Sequence, residues 1–298
     1  MKRKIFLILL LSLILVSCTN KNNDNNKNIY TSIYPIEYLT KEIVGDKYKV
    51  INIIPTGVEI HGWEPSMKTV ASMSDSQLIL VNGLGLESWA DSVSESVGES
   101  KIVEVNKGID YIKLTETEKE EHSHGDYDPH IWLSIKNMLV MAKNIEEEVV
   151  KLDPENKSYY EKNLERLESS LKELDGKFET ALENYSGKAI IVPHDAFGYL
   201  VRDYNLKQIP IEGINSSSEP DLGTVAKIVD KAKSDNVNTV FYEYGGSDKI
   251  AKTIAKEISG ETKEIYSLEN ITDELIKNNE DYYTLMEKNL NNILESFK

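Results

Sequence analysis

Apolar and polar positions alternate along the chain in a way that separates two similar halves. Short runs of β-branched and other apolar residues alternate with helical patterns over residues 29–114, and the same alternation returns over residues 188–298. This alternation is typical of a parallel sheet with helices on both faces. The predicted strands are 29–32, 48–54, 78–81 and 102–105 in the first half, and 189–192, 208–211, 239–243 and 262–268 in the second. We therefore expect two α/β lobes.

One long amphipathic stretch lies between the halves. Apolar residues recur there at steps of three and four, which is the period of one helix face. They are Tyr160, Leu164, Leu167, Leu171, Leu174, Phe178 and Leu182. Pro154 suits the start of this helix and Gly187 suits its end. Thirty-odd helical residues extend over about 45 Å, so we predict a single helix that joins the two lobes. A coiled-coil hairpin is the alternative.

The N-terminal residues combine a positive start, a short apolar run and the chain's one cysteine. Lys2, Arg3 and Lys4 precede an apolar run over residues 5–16. This run of about twelve residues is too short to cross a bilayer about 30 Å thick as a helix, and it is typical of a secretory signal peptide. It ends in LVSC, which matches the bacterial lipobox. We predict that Cys18 is the mature N-terminus and carries a diacylglycerol; an ordinary secretory signal is the alternative.

These patterns divide the chain into five predicted segments. They are a lipoprotein signal peptide (1–17), a flexible polar tether (18–28), an N-terminal α/β lobe (29–152), a linking helix (153–186) and a C-terminal α/β lobe (187–298). The tether reads TNKNNDNNKN after the cysteine and lacks apolar periodicity, as a linker does. We expect the mature protein to be a monomer on the outer face of the cell membrane, held there by its lipid.

Charge and cysteine content limit the chemistry of the mature chain. Removing residues 1–17 takes away three positive charges and changes the formal net charge from −16 to near −19. Phosphate is repelled by such a surface, which argues against nucleic acid as a partner. With Cys18 lipidated, no thiol remains for a disulfide or a metal site. Any metal site must therefore use histidine and carboxylate side chains.

Three of the five histidines stand beyond predicted strands or in loops, where ligands of open α/β sheets bind. His61 lies in PTGVEIHGWEP, His130 in DPHIW, and His194 in VPHDAFGY. Asp128 is placed to accept a hydrogen bond from the ring nitrogen of His130 that a metal leaves free. Three imidazoles and one carboxylate suit tetrahedral Zn²⁺, whereas Mn²⁺ prefers more oxygen ligands.

The fourth ligand and an accessory loop are less defined by the residues alone. Glu269 and Glu243 each follow a predicted strand of the second lobe, and spacing does not choose between them. The segment TETEKEEHSHGDY at 115–127 is acidic and contains His122 and His124. We interpret this segment as a weak, mobile cation-collecting loop. A plain solvated loop is the alternative.

Taken in order and at these separations, the three histidine motifs resemble those of the cluster A-I substrate-binding proteins of metal ABC transporters, the ZnuA/TroA/AdcA-like family. The resemblance covers essentially the whole mature chain and implies two lobes, one long linking helix, and a metal between the lobes. It implies His61, His130 and His194 as ligands. The segment YSLEN matches the family's C-terminal carboxylate, with Glu269 where many members have Asp; Glu243 is then expected to support the ligands without binding the metal itself.

The resemblance also implies a function and a metal. Manganese members place Glu where this chain has His194, so this histidine favours zinc; a manganese-binding member is the alternative. We expect a protein that captures Zn²⁺ and delivers it to the permease and ATPase of an ABC transporter. A surface adhesin is a second alternative. A zinc hydrolase is disfavoured, because the predicted carboxylate closes the position that water occupies in such enzymes and no HExxH motif supplies a general base.

Overall fold

A computed structural model describes residues 27–98, 101–115, 125–214 and 220–298. Cys18 with the predicted signal peptide, and the loop residues His122 and His124, lie outside the described residues. Within the described ranges, no helix has the length and apolar character needed to cross a membrane.

The N-terminal lobe is built on four parallel strands in the order β2-β1-β3-β4. These strands are β1 Asn28–Thr31, β2 Lys49–Asn52, β3 Leu78–Val81 and β4 Ile102–Glu104. The helices between them are α1 Tyr34–Val44, α2 Met67–Ser74 and α3 Ala90–Val97. All four residues of β3 are buried, because a central parallel strand is covered on both faces.

The predicted linking helix is a single element rather than a hairpin. It is helix α5, Lys157–Leu182, with one 3₁₀ turn before it at Pro154–Asn156 and another after it at Glu183–Tyr185. Helix α4, Ile135–Leu152, precedes it in the chain. The 26 residues of α5 extend over about 39 Å. Its buried stripe contacts α1 and α4 of the first lobe and, further along, the last helix of the second.

The C-terminal lobe repeats the strand order of the first as β6-β5-β7-β8, again all parallel. Its strands are β5 Ala189–His194, β6 Lys207–Glu212, β7 Thr239–Glu243 and β8 Glu261–Ile265. Its helices are α6 Gly198–Asp203, α7 Leu222–Asp235, α8 Lys249–Glu257, α9 Asp273–Lys277 and α10 Tyr282–Ser296. The predicted fold class, two parallel α/β lobes joined by one long helix, is confirmed.

The two lobes share one hydrophobic core instead of meeting through a thin interface. The largest apolar cluster contains Trp132 from the first lobe, Phe178 from α5 and Tyr282 from α10, each fully buried. The Tyr282 hydroxyl also donates to the Trp132 carbonyl at 2.8 Å. This common core fixes the position of one sheet relative to the other, and therefore the cleft between their loops.

Two element boundaries are set by a side chain and by a backbone angle. Helix α3 begins only at Ala90, because the Glu87 carboxylate accepts the backbone N–H groups of Asn82 and Gly83 and holds the preceding turn. The strand expected over 262–268 stops at Ile265. Leu268 then takes a left-handed conformation, with φ of 60°, which no strand residue adopts.

Candidate metal centre

Four side chains from distant parts of the chain converge between the lobes. His61, His130, His194 and Glu269 each offer one ligand atom, and these four atoms lie within 4.8 Å of one another. The His61 and His130 Nε2 atoms are 3.3 Å apart. Glu269 Oε1 lies 2.8 Å from His194 Nε2, 3.5 Å from His130 Nε2 and 3.7 Å from His61 Nε2. Ligands of a tetrahedral zinc ion stand about 3.3 Å apart, so these atoms fit one ion after small shifts.

His61 is carried by an irregular loop between β2 and α2. Gly57 and Gly62 have φ of +73° and +71°, which glycine adopts without a steric penalty. The His61 backbone N–H donates to Glu59 Oε1 at 3.1 Å, and the Trp63 N–H donates to the carbonyl of residue 60 at 3.2 Å. The loop thus turns twice around the histidine and directs its ring into the cleft.

His130 is fully buried at the start of the 3₁₀ turn Ile131–Leu133. Asp128 Oδ1 lies 2.8 Å from its Nδ1 and accepts its backbone N–H at 2.9 Å. A carboxylate at Nδ1 keeps the proton on that nitrogen and leaves the Nε2 lone pair for a metal. The Tyr199 hydroxyl, from the second lobe, donates to the Asp128 carbonyl at 2.8 Å.

The second lobe supplies its two groups from strand ends. His194 is the last residue of the central strand β5 and is 3 % exposed. Glu269 follows β8 by four residues and is 8 % exposed. Leu268, just before it, has a left-handed backbone with φ of 60°. The Glu269 carboxylate lies against His194.

When no metal is bound, the charges at the centre favour an ionised Glu269 beside protonated His130 and His194. Burial opposes charge on His130, but hydrogen bonds to Asp128 and Glu269 outweigh it and raise the pKa of His130 to about 10. For His194, burial is likewise outweighed, here by the charge of Glu269, and its pKa is raised. Burial would raise the pKa of Glu269, yet His194 and the other histidines hold it well below its usual range. The same negative charge that binds these protons is available to a metal cation.

Glu243, the other carboxylate considered from the sequence, has a different position. It ends β7, and its Oε1 accepts the backbone N–H of Ser267 at 2.9 Å. It is not one of the four residues whose ligand atoms converge. Burial raises its pKa to about 7, with His194 opposing and Glu269 adding to the rise. Glu243 therefore supports the segment that carries Glu269.

The sequence analysis did not identify two polar side chains that lie at the centre. Trp132 Nε1 donates to the Ser267 carbonyl at 2.8 Å and so ties the His130 segment to the Glu269 segment. Asn270 Nδ2 donates to two carbonyls of the loop that carries His61. The position of Trp132 two residues after His130 was the only hint available, and Asn270 was notable only as the neighbour of Glu269.

Comparison with known proteins agrees with this geometry. Residues 29–296 match the family model of ZnuA, described as the periplasmic component A of a zinc-uptake complex. The chain belongs to the ZnuA family. This confirms the resemblance drawn from the three histidine motifs, and it assigns the chain to a family of extracytoplasmic metal-binding transport components rather than of enzymes.

Curated relatives in the ZnuA family match nearly the whole chain. The high-affinity zinc uptake system protein ZnuA of Bacillus subtilis is 36% identical, and the match covers 98% of this chain and 96% of that protein. The zinc-binding lipoprotein AdcA of Streptococcus pneumoniae R6 is 32% identical over 97% of this chain. The match spans only 60% of the longer AdcA.

Solved structures of the family share the fold. A metal-dependent lipoprotein, YcdH of Bacillus subtilis, superposes with a TM-score of 0.78 at 36% identity, covering 90% of this chain and 98% of that one. The Zn(II)-bound ZnuA-like domain of Streptococcus pneumoniae AdcA gives 0.78 at 28% identity, with 91% and 98% covered. The laminin-binding protein Lmb of Streptococcus agalactiae, described as having adhesin and metal-transporting activity, gives 0.81 at 30% identity, with 91% and 100% covered.

Proposed function

We propose that this protein captures Zn²⁺ between its lobes and delivers it to the permease and ATPase of an ABC transporter for uptake. The observation that carries the proposal is the convergence of three imidazole Nε2 atoms and one carboxylate oxygen within 4.8 Å. Each lobe contributes two of them: His61 and His130 from the first, His194 and Glu269 from the second. The ion is the cargo, and the four side chains replace its hydration shell.

The donor set favours zinc over manganese. Three nitrogens and one oxygen at tetrahedral spacing suit Zn²⁺, whereas Mn²⁺ is better held by a site richer in oxygen. Asp128 orients His130, and Glu243 supports the backbone of the Glu269 segment through Ser267. The zinc-binding names of the relatives ZnuA and AdcA point the same way.

A metal-competition experiment tests this assignment. The purified protein, stripped of metal, is expected to bind one Zn²⁺ per chain and to keep it in the presence of excess Mn²⁺. His194→Glu should shift the preference toward Mn²⁺, because it exchanges a nitrogen for oxygen donors. Glu264→Gln, which removes a carboxylate of β8 that bonds Tyr242 away from the centre, serves as the control. A protein that ignores micromolar zinc would contradict the proposal.

Delivery should involve small movements of the lobes. The shared core and helix α5, which contacts both lobes, oppose a wide hinge opening. Release of the ion is therefore assigned to contact with the permease. Small-angle scattering of the metal-free and zinc-bound protein should give nearly the same radius of gyration. A clear decrease on binding would show wide closure instead.

Lipid on Cys18 would hold a monomer at the outer face of the cell membrane, with the polar residues between Cys18 and the start of β1 as the tether; several relatives are named lipoproteins. Mass spectrometry of the N-terminal peptide checks this. The lobes are assigned to 29–152 and 187–298, with 153–186 as the linking helix.

The loop at 115–127, with His122 and His124, is proposed to collect zinc before it reaches the centre. Deleting the loop should slow zinc uptake by the protein and leave the stoichiometry of the main site at one. If deletion of the loop leaves the rate of zinc uptake and transfer and the zinc affinity unchanged, the loop does not have this role.

An adhesin function is the second candidate, and the structural similarity to Lmb favours it. Binding to immobilised laminin by both the metal-free and the zinc-bound protein would support this second role. Absence of binding at micromolar concentration would exclude it for this chain.

A further inference from the structure

The side chain of Asn270 connects the two loops that carry metal ligands from opposite lobes. Its Nδ2 donates to the carbonyl oxygens of Pro55 and Val58, both at 2.9 Å. Its Oδ1 accepts the backbone N–H of Ile271 at 2.8 Å. Because this bond fixes the amide oxygen, the amide nitrogen must face the first lobe, where both of its hydrogens find an acceptor.

The two acceptors are the ends of one tight turn. The Val58 N–H donates back to the Pro55 carbonyl at 3.3 Å. Gly57, the third residue of this four-residue turn, has the positive φ that is typical of a type II turn. His61 follows three residues after Val58. Asn270 therefore fastens the turn from which the His61 loop continues.

On the other side, Asn270 directly follows Glu269. The left-handed backbone at Leu268 is rare for a residue with a branched side chain. It lets consecutive residues serve different partners: the Glu269 carboxylate reaches His194, while the Asn270 amide reaches the first lobe. Backbone strain of this kind is often found where function requires a fixed geometry.

We propose that Asn270 is a positioning residue that fastens the Glu269 loop to the His61 loop and thereby sets how long the bound metal stays in the cleft. The inference rests on the proposed zinc site. Metal joins the lobes through two ligands from each, and Asn270 joins two of the same loops without metal. When its two hydrogen bonds are lost, all four ligands remain, but the loops separate more often and the ion leaves faster.

The test is the rate of zinc release from the purified protein, followed by stopped flow with excess chelator. Asn270→Ala is expected to retain one zinc per chain and to release it roughly 5- to 30-fold faster, the effect of losing the two hydrogen bonds that cross between the loops. Asn270→Asp keeps the oxygen that accepts the Ile271 N–H but lacks both N–H donors. It should therefore release zinc at least as fast as Asn270→Ala does.

Asn292→Ala is the matched control. Its Nδ2 donates to the Glu264 carbonyl at 2.9 Å, a comparable bond that stays inside the second lobe. This variant should lower the melting temperature without changing the release rate. If Asn270→Ala behaves like the control, with wild-type release and only a lower melting temperature, the inference is overturned.

A second variant keeps the inference testable if Asn270→Ala does not fold. Thr56 Oγ1 donates to Asp273 Oδ1 at 3.2 Å, a longer bond between the same two segments. Thr56→Val should accelerate release by roughly 2- to 5-fold; release at the wild-type rate would count against fastening at this contact. A wild-type protein that binds no zinc would instead overturn the proposed function itself.

Discussion

The two lobes have the same strand order but present their metal ligands in different ways. In the second lobe His194 is the last residue of a central strand, and Glu269 follows β8 by four residues. In the first lobe His61 follows β2 by nine residues and His130 follows β4 by 26. The second lobe thus offers one group on its sheet and one a few residues beyond a strand, while both groups of the first lobe lie on longer loops. Loops need additional contacts to keep a ligand in place.

Those contacts are present and come partly from the second lobe. Asp128 fixes the His130 ring, and the Tyr199 hydroxyl holds Asp128 from α6. Asn270 holds the turn before His61. The comparison therefore suggests that the second lobe acts as the platform and that the first lobe's ligands are positioned against it.

Removing a ligand side chain should have the largest effect on zinc affinity, and the size of the loss should differ between the lobes. His194→Ala should lower zinc affinity by more than about a hundredfold, beyond the loss typical of an outer-shell residue. The loss of zinc affinity for His61→Ala should be about tenfold smaller, because zinc binding to this variant no longer has to order a ligand on a loop. Isothermal titration with a competing chelator measures both. An equal or larger loss for His61→Ala would break the distinction between the lobes.

Asp128→Asn comes next in size. The variant keeps a side chain of the same shape but loses the negative charge at His130 Nδ1, and zinc affinity should fall by about 10- to 100-fold. Asp175→Asn is the control, since Asp175 accepts the Tyr204 hydroxyl away from the centre. A loss no greater than that of the control would show that the His130 ring is fixed by packing alone.

The dependence of binding on pH follows from the raised pKa values of the histidines. The metal-free His130 has a pKa of about 10, and zinc must displace its proton. Binding at pH 8 should therefore release about one proton or more per zinc, and affinity should keep rising with pH above 7. Calorimetry in buffers of different ionisation enthalpy measures this release. Heats that do not vary with the buffer would contradict the raised pKa.

The same pKa shifts predict how the metal-free protein responds to pH. A histidine whose folded pKa exceeds the unfolded value of 6.5 stabilises the fold fully below about pH 6.5 and loses that effect as pH rises toward 10. Glu269, with a lowered pKa, stabilises the fold above about pH 4.5 and loses that effect in acid. In thermal unfolding of the metal-free protein, the stability that these histidines and Glu269 contribute should be greatest between about pH 4.5 and pH 6.5. Zinc should move the optimum to higher pH.

Tyr199→Phe should have the smallest effect. It removes the hydroxyl that donates to the Asp128 carbonyl and accepts the N–H of Ile112. The free energy of unfolding should fall by about 1–2 kcal/mol, and zinc affinity by only about threefold, because Asp128 keeps its bond to His130. Tyr204→Phe, which acts away from the centre, should reduce stability without changing affinity. An unchanged affinity for Tyr199→Phe would mean that the second lobe does not position Asp128.

Much of the fold was predictable because its signals are local. β-Branched runs, helical periods and N-capping residues such as Ser66 and Ser134 act within a few residues, so the strands and the linking helix lie close to their predicted positions. The boundaries that differ depend on longer contacts. The Glu87 carboxylate delays α3 by capping a turn five residues earlier, and the left-handed Leu268 follows from where its neighbours must point.

The sequence by itself indicated two parallel α/β lobes around one linking helix, and it predicted a metal site made of histidines and a carboxylate. Only the tertiary structure showed which carboxylate lies beside the histidines: the spacing of Glu269 and Glu243 along the chain did not choose between them, and only Glu269 belongs to the converging group. It also brings the Asn270 side chain to the carbonyls of Pro55 and Val58, which are more than 200 residues away in the chain. Local patterns encode elements, whereas the meeting of distant loops depends on how the shared core orients one lobe against the other.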